Sequence, residues 1–559
     1  MKIIILLILF NTNIMARMPD AVGRDGMVVS SNKIASEIGI NILKKGGNAI
    51  DAAIATGFAL AVVHPGAGNI GGGGFMVIRL QDGTVTTIDF REVAPASAFK
   101  DMFLDDSLHV IKDKSWNTSW AAGVPGSVAG FGMAHEQYGS VSWRNLVSPA
   151  SKLATNGFPL DFQNMSYLNH PYYKSYLSND EFAKKIFVRS EPYNLSEIFY
   201  QKDLGKTLYR IANIGWREFY SGKTADMIVA CMKRTEGLIT KNDLKNYNPI
   251  EREPISFTYR GFHIHSMPPA SSGGIAIAGI LNQLENIDLG SLDFHSAEHI
   301  HFVSEAERRV YVDRAEFLGD MDFVSIPITE LISDDYAVMR WHSIDSIHAT
   351  PSSEITAGNE FINIIESEET THYSVVDKWG NAVSVTTTIN GWFGNGIIVD
   401  GAGFLLNNEM DDFSSKPGLP NAYGLVGNVA NAIEPGKRML SSMSPTIIEN
   451  STGNLYMVIG SPGGSTIITT TAQIIMNVVD FKMNIEDAVE EKRFHHQWIP
   501  DMIQIEEMGF SIETITQLKS MGHEFKTRSS IGEANCILVE DGFIYGAADS
   551  RRNSSALGY

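Results

Sequence analysis

The hydrophobic pattern near the start of the chain predicts two consecutive helices, at residues 32–43 and 48–63. Apolar residues recur at helical spacing in the first, and Gly46-Gly47 predicts where it ends. The second is apolar nearly all round and is therefore expected to be buried. A glycine-dense loop, HPGAGNIGGGGF, follows it and leads into a predicted strand. The pattern thus passes from helix to sheet within the first eighty residues or so.

The rest of the chain alternates helical and strand periods. Residues 123–250 are predicted to be mainly helical, and a long helix is predicted at 296–317. Strand patterns return at ISFTYRGFHIHSM and, near the end, in the predicted hairpin CILVEDGFIYGAADS. Strands that alternate with helices in this way predict an α+β architecture in which helices cover packed sheets.

The stretch from Thr370 to Asn390, TTHYSVVDKWGNAVSVTTTIN, predicts a β-hairpin. Two runs rich in Val, Thr, Tyr and Ser flank a short loop in which Gly380 permits a tight turn. When the chain folds about that loop Thr370 faces Thr388, although a bulge at the glycine would shift this register by one residue. Because side chains alternate along a strand, Thr388 and Asn390 are expected on one face.

Residues 343–369, which precede the hairpin, are rich in Ser, Thr and Glu and contain few apolar anchors. A segment of this composition has little to contribute to a hydrophobic core. We therefore expect an exposed, loosely held connector that ends directly at Thr370.

The charge of the chain and its first residues indicate which binding partners and which cellular compartment to expect. The chain has 559 residues and a formal net charge of −20, and an acidic surface repels phosphate backbones, so nucleic acid is not an expected partner. The first residues, MKIIILLILFNTNIMARMPD, have the layout of a secretory signal peptide. We expect residues 1–16 to be removed and the mature protein to be periplasmic or secreted, since no later segment is long and apolar enough to span a membrane.

Two cysteines, Cys231 and Cys536, are the whole complement of the chain. A secreted protein of this size does not depend on a disulfide framework, and both a single bridge and two buried thiols fit the sequence. No metal site can be built from cysteine alone.

One pattern suggests a metal. His295, Glu298 and His299 form H-x-x-E-H, an arrangement that binds zinc and supplies a base in some peptidases. Asp293 and Ser296 indicate that the helix begins here, which places His295 at a frayed end. No third ligand is evident, so the zinc hypothesis is the weaker one.

The loop GSPGG, which contains Gly463 and Gly464, lies between a predicted strand and a predicted helix. Its backbone N–H groups suit an anion. Because no lysine follows the glycines, it is not a phosphate-binding loop of the Walker type, and a transient oxyanion is the better ligand. Alone, such a loop is more often just a tight turn.

Charged and hydroxyl residues offer two further candidate sites. Glu409 and Asp412 are three apart, so one helical turn would place both on one face, where two carboxylates bind an ammonium group. Ser441, Ser442 and Arg91 offer donors for a carboxylate. Each set alone also fits an ordinary solvated turn.

Together these segments resemble one family, the γ-glutamyltranspeptidases, and particularly its exported bacterial members. The motifs that carry the resemblance follow the family's order over nearly the whole mature chain: GNIGGGGFM, IDFREVAP, MPPASSGG, DRAEFLGD, TTHYSVVDKWGNAVSVT, LLNNEMDDFSSKPG, LSSMSP and GSPGG. The resemblance implies an N-terminal-nucleophile hydrolase with a four-layer αββα sandwich. It also implies self-cleavage between Glu369 and Thr370, which gives a large subunit, 17–369, and a small subunit, 370–559, in one interwoven heterodimer.

The resemblance assigns roles to residues already named. Thr370 becomes the nucleophile and, as a new N-terminus, uses its own α-amine as base, while Thr388 orients it. The positions that match the family's oxyanion hole are Gly463 and Gly464. The positions that match its ligands of the substrate α-carboxylate are Arg91, Ser441 and Ser442. The positions that match its ligands of the α-amine are Asn390, Glu409 and Asp412. Residues 417–428, with Tyr423, resemble a lid loop.

The implied activity is removal of γ-glutamyl groups from glutathione and related compounds, with water, an amino acid or a peptide as acceptor and without a metal or organic cofactor. The nearest alternative shares the fold: a cephalosporin or glutaryl acylase, or a poly-γ-glutamate-processing enzyme. Arg91, Asp412 and the two serines favour a free glutamyl head group over those acylases. A zinc peptidase and an exported binding protein that never matures are the alternatives from other classes.

Overall fold

The structure is a computed structural model that describes residues 17–355, 370–422 and 424–559. The predicted signal peptide, Glu369 and Tyr423 lie outside the described residues. The helices, in chain order, are α1 (Lys33–Lys44), α2 (Ala49–Val63), α3 (Ser127–Tyr138), α4 (Trp143–Asn156), α5 (Phe162–Asn169), α6 (Pro171–Leu177), α7 (Glu181–Phe187), α8 (Lys202–Ile214), α9 (Glu218–Ser221), α10 (Lys223–Thr235), α11 (Lys241–Asn246), α12 (Gly273–Leu284), α13 (Ala297–Phe317), α14 (Ile328–Leu331), α15 (Asp334–His342), α16 (Thr466–Val479), α17 (Ile485–Glu490) and α18 (Ile512–Ser520). The strands are β1 (Ala21–Gly23), β2 (Gly26–Ser30), β3 (Gly73–Arg79), β4 (Val85–Asp89), β5 (Phe158–Pro159), β6 (Ile198–Phe199), β7 (Ile250–Arg252), β8 (Ile255–Tyr259), β9 (Phe262–Ser266), β10 (Thr371–Asp377), β11 (Ala382–Thr388), β12 (Thr446–Glu449), β13 (Leu455–Ile459), β14 (Phe494–His495), β15 (Ile503–Glu506), β16 (Phe525–Arg528), β17 (Asn535–Glu540), β18 (Phe543–Ala548) and β19 (Ser555–Gly558).

Two seven-stranded sheets form the centre, in the orders β1-β18-β17-β13-β12-β9-β8 and β19-β2-β10-β11-β3-β4-β7. A buried apolar layer that includes Val29, Val77, Ile447 and Val458 separates their inner faces. Helices α1 to α4 and α8 pack on the outer side of the sheet that contains β10 and β11. Helices α12, α13 and α16 pack on the outer side of the other sheet. The predicted four-layer αββα sandwich is confirmed.

Local signals explain the first two helices. The Asn32 side chain caps α1 by accepting a hydrogen bond from the Ile34 N–H. Asn48 and Asp51 form a capping box at the start of α2. Every residue of α2 is buried, as its all-round apolar pattern predicts.

The hairpin of β10 and β11 lies in the middle of its sheet and has the predicted register. Thr371 pairs with Thr387 and Val376 with Ala382, so no bulge intervenes across these pairs. The two strands also pair outward with β2 and β3, which buries both completely. In this register the residue before β10, Thr370, lies opposite Thr388.

The prediction of an exposed, loosely held connector is confirmed in part for residues 343–355, most of which are exposed, but the segment is held by specific hydrogen bonds. Arg309 on α13 donates to both the carbonyl and the hydroxyl of the first residue of this segment. Ser352 is 2% exposed and donates to the Trp498 carbonyl at 2.6 Å. Buried polar side chains anchor the segment together with Ile344 and Ile355, and composition cannot reveal the polar anchors. Residues 356–369 lie outside the described residues.

The structure also bears on the predictions about membrane-spanning helices and about the two cysteines. Within the described ranges, no helix combines the length and the apolarity that crossing a bilayer requires. Cys231 and Cys536 are both buried free thiols, which resolves the choice between a bridge and two thiols.

Candidate active site

A small cavity beside the start of β10 brings distant parts of the chain together. The predicted residues that line it are Arg91, Thr370, Thr388, Asn390, Glu409, Asp412, Ser441, Ser442 and Gly464. Gly463 precedes Gly464 in its loop but is not a lining residue, and Tyr423 lies outside the described residues. The lining residues that the sequence interpretation did not single out are Arg314, Leu425, Met443 and Ile467.

The two threonines of the hairpin are both buried at the cavity wall, with Thr370 4% exposed and Thr388 3% exposed. The chain turns sharply just after β11, where Asn390 has a positive φ of 68°. This conformation lets the Asn390 N–H donate to Thr388 Oγ1 at 2.8 Å. The backbone after the strand therefore fixes the orientation of the second hydroxyl.

The loop from Gly460 to Gly464 connects β13 to α16 and lies directly beside the hairpin. A Cβ at Gly460 would lie 2.4 Å from the His372 ring, so glycine is needed for this close approach. Gly463 and Gly464 have φ values of 135° and 55°, and their N–H groups donate to no acceptor among the described residues. Two adjacent N–H groups of this kind suit a negatively charged oxygen.

One end of the cavity is acidic and surrounds Arg91. The Arg91 Nη1 atom lies 2.6 Å from Glu409 Oε2 and 3.6 Å from Glu92 Oε2. Its Nη2 atom donates to Asp412 Oδ2 at 2.5 Å. Three carboxyl groups thus surround one guanidinium and neutralise its charge.

Burial sets the proton affinity of this acidic cluster. Burial opposes the charge of Arg91, but Glu409, Asp412 and Glu92 outweigh it and raise the arginine pKa above its usual range. Burial also raises the pKa of Glu92 to about 8, against the influence of Arg91. The pKa values of Glu409 and Asp412 rise for the same reason. Glu409 and Asp412 both pair with Arg91 and both line the cavity, where their carboxyl groups suit an ammonium ligand.

A second part of the cavity wall, the serine end, contains Ser441, Ser442 and a second buried arginine, Arg314, which interacts electrostatically with Asp412. Arg314 lies in the last turn of α13 and donates through Nη2 to Ser442 Oγ at 3.3 Å. Through Nε it donates to Ser272 Oγ at 3.0 Å, and Ser272 in turn donates to the Ser441 carbonyl at 2.7 Å. Burial lowers the pKa of Arg314 to about 10. The sequence interpretation missed this residue, although an arginine within the apolar face of a long helix is a signal for it.

Two acidic residues hold the predicted lid loop over the cavity. Asp411 accepts hydrogen bonds from the Ala422 N–H at 3.0 Å and from Ser115 Oγ at 2.5 Å. Asp412 accepts one from Asn421 Nδ2 at 3.1 Å. The predicted one-turn arrangement of residues 409–412 is present as a 3₁₀ turn, and its last two carboxylates connect the cavity to the loop.

The weaker alternative, a zinc site of His295, Glu298 and His299, does not form among the described residues. His295 lies outside α13, and its backbone N–H donates to His299 Nδ1 at 3.1 Å, while the Glu298 side chain is exposed. A different group, His301, Glu305 and His523, converges within 4.8 Å. There the two histidines bond to each other at 2.8 Å, and Arg308 and Arg309 pair with the glutamate, so the group is a closed network rather than an open metal site.

Comparisons with known proteins agree with this geometry. A model of the γ-glutamyltranspeptidase family matches residues 35–559. The glutathione hydrolase proenzyme of Escherichia coli strain K12 is 49% identical over 530 residues, which cover 94% of this chain and 90% of that protein.

Two solved structures are similar in fold. The γ-glutamyltranspeptidase of Helicobacter pylori has a TM-score of 0.58 at 43% identity and covers 61% of this chain and 96% of its own. A cephalosporin acylase from Bacillus halodurans has a TM-score of 0.83 at 24% identity and covers 99% of both chains. At that identity the acylase supports the architecture and not the activity.

Proposed function

The chain belongs to the γ-glutamyltranspeptidase family, and from this premise we propose that it is a self-processing enzyme that cleaves the γ-glutamyl bond of glutathione and related compounds. Its products are a large subunit, 17–369, and a small subunit, 370–559, which remain together as a heterodimer. The apolar start of the chain supports a periplasmic or secreted location. Small γ-glutamyl compounds and amino-acid or peptide acceptors are the partners.

Maturation follows from the position of Thr370. Its Oγ attacks the Glu369 carbonyl, the peptide nitrogen leaves with a proton, and an ester joins the two residues. Water then hydrolyses that ester, which leaves a carboxylate on Glu369 and a free α-amine on Thr370. The mature nucleophile thereby gains a base of its own, as a weakly acidic hydroxyl requires.

The catalytic cycle uses the same hydroxyl. The Thr370 α-amine takes the Oγ proton as Oγ attacks the substrate γ-carbonyl, and the N–H groups of Gly463 and Gly464 stabilise the resulting oxyanion. The leaving amine takes a proton as the carbon–nitrogen bond breaks, and a γ-glutamyl ester remains on Thr370. Water or an acceptor amine then attacks this ester and restores the hydroxyl. Thr388 keeps Thr370 Oγ aligned.

The two ends of the cavity select the substrate. The α-amine would lie against Asn390, Glu409 and Asp412, and the α-carboxylate against the serines and Arg91. A head group held at both ends fixes the γ-carbonyl beside the nucleophile. The observation that carries the proposal is this one small cavity, which a threonine at a strand start lines together with carboxyl groups, arginines and hydroxyl groups. An acylase for uncharged or glutaryl side chains has no use for an acidic end that binds ammonium.

The Thr370→Ala variant tests the proposal. It should remain one chain on a denaturing gel and hydrolyse γ-glutamyl-p-nitroanilide at a rate indistinguishable from buffer, because both steps use the same hydroxyl. Thr371→Ala is the matched control, since its hydroxyl contacts Ser31 at 3.0 Å rather than the cavity, and it should process and cleave. A Thr370→Ala protein that is cut and active would refute the assignment.

A chelator separates the proposal from the zinc peptidase. Activity should be unchanged in EDTA, because no step uses a metal. Activity lost to EDTA and restored by zinc would overturn the threonine mechanism, and a wild-type protein that stays one uncut inactive chain would favour the binding-protein alternative.

A further inference from the structure

The two glycines that suit an oxyanion have little backbone restraint of their own. Gly463 and Gly464 both have positive φ values, a region that glycine enters readily because it has no Cβ. Such residues direct their N–H groups reliably only where the chain on either side of them is anchored. On the side of β13, Ser461 Oγ accepts from the Glu533 N–H at 2.9 Å. On the other side the anchor is Ser465, which directly precedes α16.

Ser465 is fully buried and is held through both its side chain and its backbone. Its Oγ donates to Gln497 Oε1 at 2.8 Å, and its carbonyl accepts from the Tyr311 hydroxyl at 2.5 Å. Tyr311 lies on α13, and Gln497 lies two residues after β14, so two separate elements meet at this one serine. Because Ser465 directly follows Gly464, which lines the cavity, these two bonds fix the end of the oxyanion loop.

The Gln497 side chain is itself held so that its oxygen faces Ser465. Its Nε2 donates to the Ile499 carbonyl at 3.3 Å, and since a carbonyl only accepts, the other amide atom is the oxygen. His495 Nε2 lies 2.9 Å from this oxygen and therefore donates to it. The second nitrogen of that ring, Nδ1, lies 2.8 Å from Thr469 Oγ1 near the start of α16. His495 thus braces Gln497 and α16 together.

We infer that Gln497 is a positioning residue for the oxyanion: with His495 behind it, it holds Ser465 and so fixes the direction of the Gly464 N–H. Gln497 is not among the described residues that line the cavity, so it acts through Ser465 rather than on the substrate. The inference rests on the proposed function, because the oxyanion forms only when the γ-glutamyl carbonyl is attacked. Support of this kind stabilises the transition state and leaves the binding of the head group unchanged.

The Gln497→Met variant tests this role, because methionine keeps the length of the side chain but has no amide oxygen. Loss of alignment should lower kcat for γ-glutamyl-p-nitroanilide by roughly 10- to 100-fold and change KM by less than about twofold. Gln201→Met is the matched control, since it makes the same substitution at a buried glutamine that donates to the Val62 carbonyl at 2.7 Å. The control should keep the wild-type kcat.

Two inhibitors separate alignment of the oxyanion loop from a general loss of structure. A glutamate analogue with a boronic acid at the γ position forms a tetrahedral adduct on Thr370 Oγ, whereas L-glutamate occupies the cavity without one. Gln497→Met should raise the Ki of the boronic acid by the factor by which kcat falls and leave the Ki of L-glutamate unchanged. A purely structural role would weaken both inhibitors together.

Ser465→Ala gives an independent check, because it removes the hydroxyl through which Gln497 acts. It should change kcat and the Ki of the boronic acid in the same direction, and it carries the test alone if Gln497→Met fails to self-cleave. Gln497 also lies beside the lid loop, since a Cβ at Gly424 would lie 3.1 Å from Gln497 Nε2. The double variant separates the two routes: an effect through Ser465 makes it no worse than Gln497→Met alone, whereas an effect through the lid adds to that of Ser465→Ala.

Additive losses in the double variant would overturn the inference. So would variants that keep the wild-type kcat, or that weaken the boronic acid and L-glutamate equally. Failure of the wild type to cleave any γ-glutamyl anilide would instead overturn the proposed function.

Discussion

The acidic and the serine ends of the cavity each contain a buried arginine, yet they handle its charge in opposite ways. Arg91 forms ion pairs with Glu409, Asp412 and Glu92, which neutralise its charge within the cavity. Arg314 is hydrogen-bonded to two hydroxyls and, among the described residues, forms no ion pair; the carboxyl group that acts on its charge, Asp412, is one that already pairs with Arg91. The comparison teaches that counter-ions rather than residue type decide what a buried arginine contributes to stability.

Replacing each arginine with methionine should give the largest difference in stability between the two ends. Arg91→Met leaves three buried carboxylates without a cation, and we expect the free energy of unfolding to fall by about 3–5 kcal/mol. Arg314→Met removes a buried charge that, among the described residues, forms no ion pair and interacts with Asp412 only electrostatically, so the expected loss is smaller, about 1 kcal/mol. Urea unfolding in the Thr370→Ala background, where one uncut chain unfolds, measures both.

Equal losses for the two methionine variants would contradict the assignment of counter-ions. Arg91→Lys is the control, because it keeps a cation among the carboxylates and should recover part of the stability. If it does not, the fork of the guanidinium rather than its charge holds the acidic end together.

The pH dependence of stability gives a smaller effect at the acidic end. Burial raises the pKa of Glu92 from 4.5 to about 8, so the folded protein holds this proton more tightly than the unfolded chain. Its contribution to stability is complete at pH values below 4.5 and is lost as the pH rises toward 8. Glu92→Gln removes this loss and should gain on the order of 2 kcal/mol relative to wild type between pH 5 and pH 8.

Thermal or urea unfolding of Glu92→Gln and wild type over that pH range measures the difference. Glu251→Gln is the control, since it makes the same substitution on an exposed side chain at the protein surface. A difference between Glu92→Gln and wild type that is flat with pH would show that Glu92 is already ionised in the folded state.

The hairpin and its surroundings could be predicted from sequence because their signals are local. The alternation of side chains and one glycine turn specify the register that faces Thr370 with Thr388, and the structure confirms that register. The glycines around the site are a local signal of the same kind. A Cβ at Gly73 would lie 2.5 Å from Glu92 Oε2, so the absence of a side chain there leaves room for the acidic cluster.

The position of Arg314 and the anchoring of residues 343–355 could not be predicted from the sequence, because both depend on contacts between segments far apart in the chain. Arg314 reaches the serines only because α13 packs against the sheet near residues 441–442, a contact between segments far apart in sequence. The anchoring of residues 343–355 has the same cause, since Arg309 and Ser352 anchor that segment through long-range polar contacts. Composition records the scarcity of apolar anchors but not the presence of buried polar ones.

The central claim is that the chain cuts itself before Thr370 and then uses that residue as its nucleophile. Intact mass measurement of the purified protein, combined with N-terminal sequencing of the smaller fragment, tests this directly. The account predicts two fragments, the smaller of which begins Thr-Thr-His-Tyr-Ser and ends at Tyr559. A single uncut chain, or a smaller fragment that begins at any other residue, would contradict it.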